Sequence, residues 1–131
     1  YRIRKGKVAV FRKYVWSVAQ ILDMKAMNEA SIQLLGKHNF GGFCKQDPIP
    51  NNLECDIFYA NWEYKANEWV FEIEGNRFLR HMVRILVGTM VQVGLGKDSP
   101  QSISDILLSG KRQDAGPTVP AHGLHLVWVK Y

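Results

Sequence analysis

The sequence predicts an α+β domain in which helices pack on one face of an antiparallel or mixed sheet. Two central segments alternate apolar and polar residues around a short turn, as the strands of a β-hairpin do. Three other segments carry apolar residues at helical spacing. At 131 residues the chain can bury a core of its own, and we expect residues 1–131 to form one domain.

The first third of the chain is expected to contain strands, a helix and a loop. Residues 1–18 mix β-branched and aromatic residues with basic ones, which favours extended chain in two short strands. Asp23 is expected to cap a helix that begins at Met24 and ends at Gly36. Residues 36–45 are rich in glycine, so we expect a loop, and loops often line sites.

The central hairpin is predicted from two alternating strands joined at Ala66 and Asn67. The first strand places four apolar or aromatic residues on one face: Phe58, Ala60, Trp62 and Tyr64. The second directs Trp69, Phe71 and Ile73 inward and its glutamates outward. We expect this hairpin to lead directly into the next helix.

Residues 75–94 are predicted to form one long helix capped by Asn76. A basic stripe follows helical spacing and comprises Arg77, Arg80, His81 and Arg84. The opposite face carries Phe78, Met82, Ile85, Leu86 and Val93. No ionisable residue occurs from Ile85 to Val91, so protein should surround the second half, and Gly88 indicates close packing or access.

Arg84 is the deepest cation of this predicted helix. An unpaired buried charge is very costly, so the guanidinium should pair with a carboxylate or a phosphate. Arginines at this spacing also form ordinary solvated faces, and periodicity alone favours that alternative.

The last third is predicted to contain a helix, a loop and a strand. Ser99 and Pro100 open a helix that runs to Leu108 and is closed by Gly110. Residues 111–120 are expected to form a loop. Residues 123–131 are apolar on both faces, which predicts a buried central strand.

Charge and composition narrow the function classes. A net charge of +5 and a pI near 9.3 favour a polyanionic partner such as nucleic acid. The two cysteines and four histidines lack metal-ligand spacing, so we expect no metal. The absence of a long apolar run or signal-peptide pattern favours a cytoplasmic protein without membrane contact. Gly94 to Lys97 is not a phosphate loop, because Val91 stands where a Walker A glycine is needed.

Three blocks of sequence carry a family resemblance. They are Gly36-Lys37-His38-Asn39-Phe40-x-x-Phe43, then Glu74-Gly75-Asn76-x-Phe78-Leu79-x-His81-Met82-Val83-Arg84-x-x-Val87-Gly88 with Val93-Gly94, then Ala121-His122-Gly123-Leu124-His125-Leu126 with Val129-x-Tyr131. In this order, and across essentially the whole chain, they resemble the C-terminal half of the tRNA pseudouridine synthase A family. The resemblance implies the C-terminal half of a pseudouridine synthase fold.

The resemblance also implies an isomerase that detaches uracil from its ribose, turns it and rejoins it through carbon. It implies action without a cofactor on the anticodon arm of tRNA, by a homodimer. The family's reaction depends on an aspartate in an Arg-Thr-Asp-x-Gly-Val-His type motif, which is absent here and lies upstream in the family's order. The chain also begins without methionine, in what reads as the interior of a strand. We therefore expect an excised portion that is inactive alone.

Site residues follow from the resemblance, motif by motif. Arg84 matches the arginine that pairs with the catalytic aspartate. Tyr1 matches a tyrosine whose ring stacks on the target base, with Ile3 in place of the motif's second tyrosine. Leu124 matches an apolar residue of the base pocket, with plain strand core as the alternative. The candidates for binding tRNA phosphates are Arg77, Arg80, Lys37 and Lys45.

Two other function classes stay open. The chain could be a non-catalytic RNA-binding domain that kept the scaffold and lost the chemistry. It could instead be a structural or dimerisation module whose basic surface faces a protein. Binding to tRNA that hardly responds to salt would indicate the second of these.

Overall fold

Five strands and three helices make up the computed structural model, which describes residues 1–5 and 16–125. The strands are β1 (Arg2–Lys5), β2 (Trp16–Val18), β3 (Gly36–Asn39), β4 (Glu54–Lys65) and β5 (Glu68–Gly75). The helices are α1 (Met24–Ile32), α2 (Met82–Gly94) and α3 (Ser102–Ser109). Short 3-10 helices occur at Gly41–Phe43, Arg112–Asp114 and Ala121–Gly123. The predicted α+β class is confirmed.

The strands form one mixed sheet in the order β2-β1-β5-β4-β3. β1 and β2 pair in parallel, and the other neighbours pair antiparallel. Two short strands lie within residues 1–18, as expected, while residues 6–15 of the predicted extended chain lie outside the described residues. The hairpin of β4 and β5 sets Trp62 opposite Phe71, and both side chains are buried. Its turn consists of Ala66 and Asn67, at φ 52° and 63°.

A β-bulge changes the predicted inward face of β4. The register shifts between Ile57 and Tyr59, so Ile57 is buried while Phe58 is 62% exposed. The prediction that Phe58 points inward is therefore wrong, since the bulge interrupts the alternation. Tyr64 is also half exposed, with its ring 5.0 Å from that of Trp69.

Two further expectations, one about β5 and one about the segment that contains β3, also need correction. Glu68 was expected to point outward, but it is buried and accepts hydrogen bonds from Arg2 at 2.7 and 2.8 Å. Residues 36–45 were expected to be entirely loop, but Gly36–Asn39 is an edge strand paired with β4. This pairing is nonlocal, so the glycine content of the segment did not reveal it.

Helix α1 packs against the C-terminal end of α2. Asp23 caps α1 as predicted, because its Oδ1 accepts a hydrogen bond from the Ala26 amide at 3.2 Å. The Asp23 amide donates to the Gly94 carbonyl at 2.9 Å. The helix ends at Ile32, four residues before the predicted stop, and Gly36 at φ 94° instead begins β3.

Helix α2 begins seven residues later than predicted, at Met82 instead of Gly75. Asn76 does not cap it; the Asn76 Oδ1 accepts from the Asp56 amide at 2.8 Å, and its own amide donates to the Asp56 carbonyl at 3.0 Å. His81, at φ 63°, has a left-handed backbone that separates the preceding turn from the helix. Arg77 and Arg80 therefore do not share a helical stripe with Arg84, and Phe78 is half exposed.

The buried second half of α2 is confirmed. Every residue from Ile85 to Val91 is buried, as the absence of ionisable side chains predicted. Helix α3 is also present, but it begins at Ser102 instead of Pro100; Gly110, at φ 65°, follows its last residue, Ser109. Of the predicted last strand, Gly123 lies in a 3-10 helix, Leu124 and His125 are irregular, and residues 126–131 lie outside the described residues.

Candidate functional site

Arg84 lies in the first turn of α2, and its side chain is half buried. Its Nε donates a hydrogen bond to the Val119 carbonyl at 2.8 Å, and the Val119 amide donates to the Arg84 carbonyl at 3.4 Å. No carboxylate of the described residues lies within 4.0 Å of the guanidinium. The side chain is thus oriented by a backbone carbonyl, while the described part of the chain leaves its charge without an acid.

Tyr1 lies beside Arg84 and is almost covered, with 6% of its surface exposed. Its hydroxyl donates to the Pro120 carbonyl at 2.5 Å. Burial raises the pKa of the Tyr1 hydroxyl well above its usual value of 10, and the nearby Arg84 charge partly opposes that rise. The phenol is therefore neutral at physiological pH.

Gly123 completes the cover over the Tyr1 ring. A Cβ at position 123 would lie 2.5 Å from the Cζ of Tyr1, so any larger residue would displace the ring. Leu124 follows directly; it is 41% exposed and lies in no strand of the described residues. Its position does not match the alternative of buried strand core. The structure thus brings Tyr1, Arg84 and Leu124 to one region.

The segment of residues 116–120, whose carbonyls hold Arg84 and Tyr1, is docked on α2. A Cβ at Gly88 would lie 1.9 Å from the Pro117 carbonyl oxygen, so the predicted close packing at Gly88 is confirmed. The Gly116 amide donates to the Thr89 Oγ1 at 2.9 Å. Arg112 donates from Nη1 to the Gly116 carbonyl at 2.9 Å and from Nη2 to the Thr118 hydroxyl at 3.3 Å.

Among the other predicted basic residues, Arg77 and Lys37 lie apart from Tyr1 and Arg84, whereas Arg80 and Lys45 lie close to His81. Arg77 donates to the carbonyls of Asn52 and Glu54 at 2.9 and 3.1 Å, which ties the turn before α2 to the start of β4. Lys37 is exposed on β3, three strand positions from β1, or roughly 14 Å at about 4.8 Å per strand. Arg80 is exposed, and its carbonyl accepts from the Lys45 amide at 3.0 Å.

A pocket of about 420 Å³ lies at the start of α2. Two of its lining residues, His81 and Ile85, are close to Arg84 in the sequence. It is lined by Lys45, Gln46, Asp47, His81, Ile85, Arg112 and Thr118. Desolvation, followed by the charges of Arg84, Arg80 and Lys45, lowers the pKa of His81. This pocket has no local signature in the sequence, because its residues come from three separate segments.

Across residues 1–5 and 16–125, no group of three or more His, Cys, Asp or Glu side chains could hold a metal ion. Cys44 and Cys55 are free and buried. None of the helices in the described ranges is long and apolar enough to cross a membrane.

Comparison with known proteins identifies the family to which the chain belongs. Residues 30–131 match the family model described as tRNA pseudouridine synthase. That range contains Arg84, Leu124 and the 116–120 segment. The chain belongs to the tRNA pseudouridine synthase family.

Individual relatives agree with the family match. Each of the following is named tRNA pseudouridine synthase A. The protein of Halalkalibacterium halodurans is 40% identical over 127 residues, which is 95% of this chain and 48% of the relative. That of Thermus thermophilus is 43% identical over 118 residues, 87% of this chain and 46% of the relative. That of Anoxybacillus flavithermus is 39% identical over 132 residues, 100% of this chain and 54% of the relative. The chain therefore spans about half the length of these curated relatives.

Proposed function

We propose that this chain is the C-terminal domain of a cytoplasmic tRNA pseudouridine synthase that isomerises uridine to pseudouridine in the anticodon stem-loop. The name shared by the family model and the relatives supports the reaction and the tRNA substrate. The observation that carries the proposal is Arg84, a half-buried guanidinium held by a carbonyl and given no acid by the described residues. Such a group suits a carboxylate that arrives from elsewhere.

The nucleophilic aspartate comes from polypeptide outside these 131 residues. The Arg-Thr-Asp-x-Gly-Val-His type motif is absent from the sequence, and the chain spans about half of each relative. Paired with Arg84, the incoming carboxylate would have a lowered pKa and stay ionised as a nucleophile. In the reaction the bond from uracil N1 to the ribose breaks, a bond from C5 to the ribose forms, C5 loses its hydrogen as a proton, and N1 takes up a proton.

The target base enters beside Tyr1 and Leu124. A base taken out of its stack needs a flat, largely apolar slot. Leu124 offers exposed apolar surface there, whereas the Tyr1 ring is 6% exposed under Gly123, so its stacking on the base requires that this cover move. The phosphates of the tRNA then meet a basic surface that includes Arg77, Arg80 and Lys37, all of which are exposed. The enzyme acts as a homodimer without a cofactor, and the mass of the full-length protein in solution tests the dimer.

Tritium release from tRNA labelled at uridine C5 tests the proposed function. We expect release by the full-length enzyme and none by the 131-residue chain. Activity of the 131-residue chain would refute the claim that the nucleophilic aspartate lies outside these residues. No release by the full-length protein would refute the proposed reaction.

A non-catalytic RNA-binding domain on the same scaffold is the second candidate. The absence of the aspartate motif from these residues favours it. The gene sequence upstream of the codon for Tyr1 separates the two: the motif in that region supports the enzyme, and an upstream region without it supports the binding domain.

A further inference from the structure

The pocket beside Arg84 contains more basic groups than the proposed chemistry uses. Lys45, His81 and Arg112 contribute nitrogen donors to its wall, and Asp47 contributes the one carboxylate among the lining residues. Its volume of about 420 Å³ falls within the usual range for small-ligand sites, about 300 to 1,000 Å³. The pocket therefore has room for a charged group larger than a water molecule.

Backbone and side-chain hydrogen bonds fix one wall of the pocket, at Lys45 and Gln46. The Lys45 amide donates to the Arg80 carbonyl at 3.0 Å, which holds Lys45 against the turn that ends at His81. Gln46 donates from Nε2 to the Gly41 carbonyl at 2.6 Å. The wall is thus formed before any ligand arrives.

Arg112 forms part of the opposite wall and has donors to spare. A guanidinium carries five N–H groups. The Gly116 carbonyl and the Thr118 hydroxyl accept one hydrogen bond each. Three N–H groups remain, and a planar fork of this kind matches the oxygens of a phosphate.

The charge balance of the pocket favours an anion. Neither Lys45 nor Arg112 has a carboxylate within 4.0 Å in the described part of the chain. Asp47 also lines the pocket but forms no ion pair with them at that distance. Desolvation lowers the pKa of His81, and the nearby charges of Arg84, Arg80 and Lys45 lower it further.

We propose that this pocket binds a phosphodiester group of the RNA strand next to the nucleotide whose base enters the Arg84 site. The inference rests on the proposed function. His81 precedes Arg84 by three residues, less than one helical turn of about 5.4 Å, so one strand can reach both. Ile85 adds an apolar wall against which the ribose can pack.

Salt-dependent tRNA binding by the full-length enzyme tests this subsite. Lys45→Gln removes one phosphate contact, so the slope of log affinity against log salt should fall in magnitude by about 0.7. At roughly 0.1 M salt this corresponds to about five-fold weaker binding. Lys97→Gln is the matched control, because Lys97 is exposed beyond the other end of α2, about 20 Å away at 1.5 Å per residue. It should leave the slope unchanged.

Asp47→Asn provides a test of the opposite sign. Removing the carboxylate from the pocket wall should tighten tRNA binding, whereas a pocket that binds no anion would not respond. If Lys45→Gln gives the same slope as Lys97→Gln in an enzyme that releases tritium normally, the phosphate subsite is overturned and the proposed function stands. An enzyme that releases no tritium overturns the proposed function instead.

Discussion

Arg84 combines a fixed position with unused hydrogen-bonding capacity. Its Nε is engaged by the Val119 carbonyl, and a guanidinium has four further N–H groups. Those groups form the planar edge that binds a carboxylate in bidentate fashion. The neighbouring Tyr1 hydroxyl is protonated, and burial raises its pKa further, so it does not neutralise the Arg84 charge.

Removal of the Tyr1 hydroxyl should lower stability. In the full-length protein, Tyr1→Phe loses the hydrogen bond to the Pro120 carbonyl, and we expect the free energy of unfolding to fall by about 1 kcal/mol. Urea unfolding measures the change. Tyr64→Phe, which removes a hydroxyl from a half-exposed ring, should change stability less.

The raised pKa of Tyr1 also predicts a pH dependence. Because the folded-state pKa lies above the unfolded value of 10, the contribution to stability is complete below pH 10 and is lost as pH rises above it. The difference in unfolding free energy between wild type and Tyr1→Phe should therefore shrink above pH 10. A difference that stays constant through this range would contradict the burial of the hydroxyl.

At the scale of elements, the contact between α2 and the 116–120 segment positions the site. Gly88→Ala would place a Cβ against the Pro117 carbonyl, so the segment must shift. We expect a loss of about 1 to 3 kcal/mol in stability, together with a lower rate of pseudouridine formation, since Val119 orients Arg84. Urea unfolding and tritium release measure the two effects.

Gly96→Ala is the control for Gly88→Ala, because it strains the backbone without displacing the 116–120 segment. Gly96 has φ 77°, and a Cβ added there would meet no atom within 4 Å. Alanine at this position therefore costs about 1 kcal/mol through the backbone alone. Its catalytic rate should match that of wild type. Equal rates for Gly88→Ala and Gly96→Ala would show that the segment does not position Arg84.

The β4–β5 turn offers a stabilising substitution. Both turn residues have positive φ, which costs alanine at position 66 more than asparagine. Ala66→Asn should raise the free energy of unfolding by about 0.5 to 1 kcal/mol, as measured in urea. Ala19→Asn, at an exposed position without positive φ, is the control and should show no gain.

Hydrophobic periodicity predicted those elements in which burial follows the period of the strand or helix. The alternation of β4 and β5 and the buried run from Ile85 to Val91 were visible because burial repeats with the period of the element. The early start predicted for α2 failed because Asn76 bonds to β4 across the sheet and His81 adopts a left-handed backbone. Neither feature has a signature in local periodicity.

The same distinction applies to the site. The depth of Arg84 followed from the change between charged and apolar sequence. Its actual partner is a backbone carbonyl, at Val119, and a carbonyl leaves no trace in a pattern of side chains. Arg112 was missed for a related reason, since its role depends on a loop that folds back onto α2.

At the scale of the whole molecule, a net charge of +5 should make tRNA binding strongly salt dependent. We expect the affinity of the full-length enzyme for tRNA to fall about 100-fold between about 50 and 200 mM salt, as several phosphate contacts release counterions. Filter binding across this range measures it. An affinity that hardly changes would favour a structural or dimerisation module.

The rate of pseudouridine formation by Arg84→Lys in the full-length enzyme tests the central claim most directly. Lysine keeps the charge but cannot bind a carboxylate in bidentate fashion. At saturating tRNA we expect a rate about 100-fold lower, equivalent to roughly 2.7 kcal/mol, with tRNA affinity within about three-fold of wild type. Arg77→Lys, on a residue that binds only carbonyls in the described structure, should keep the wild-type rate. An Arg84→Lys enzyme that works at the wild-type rate would contradict the pairing of Arg84 with the catalytic aspartate.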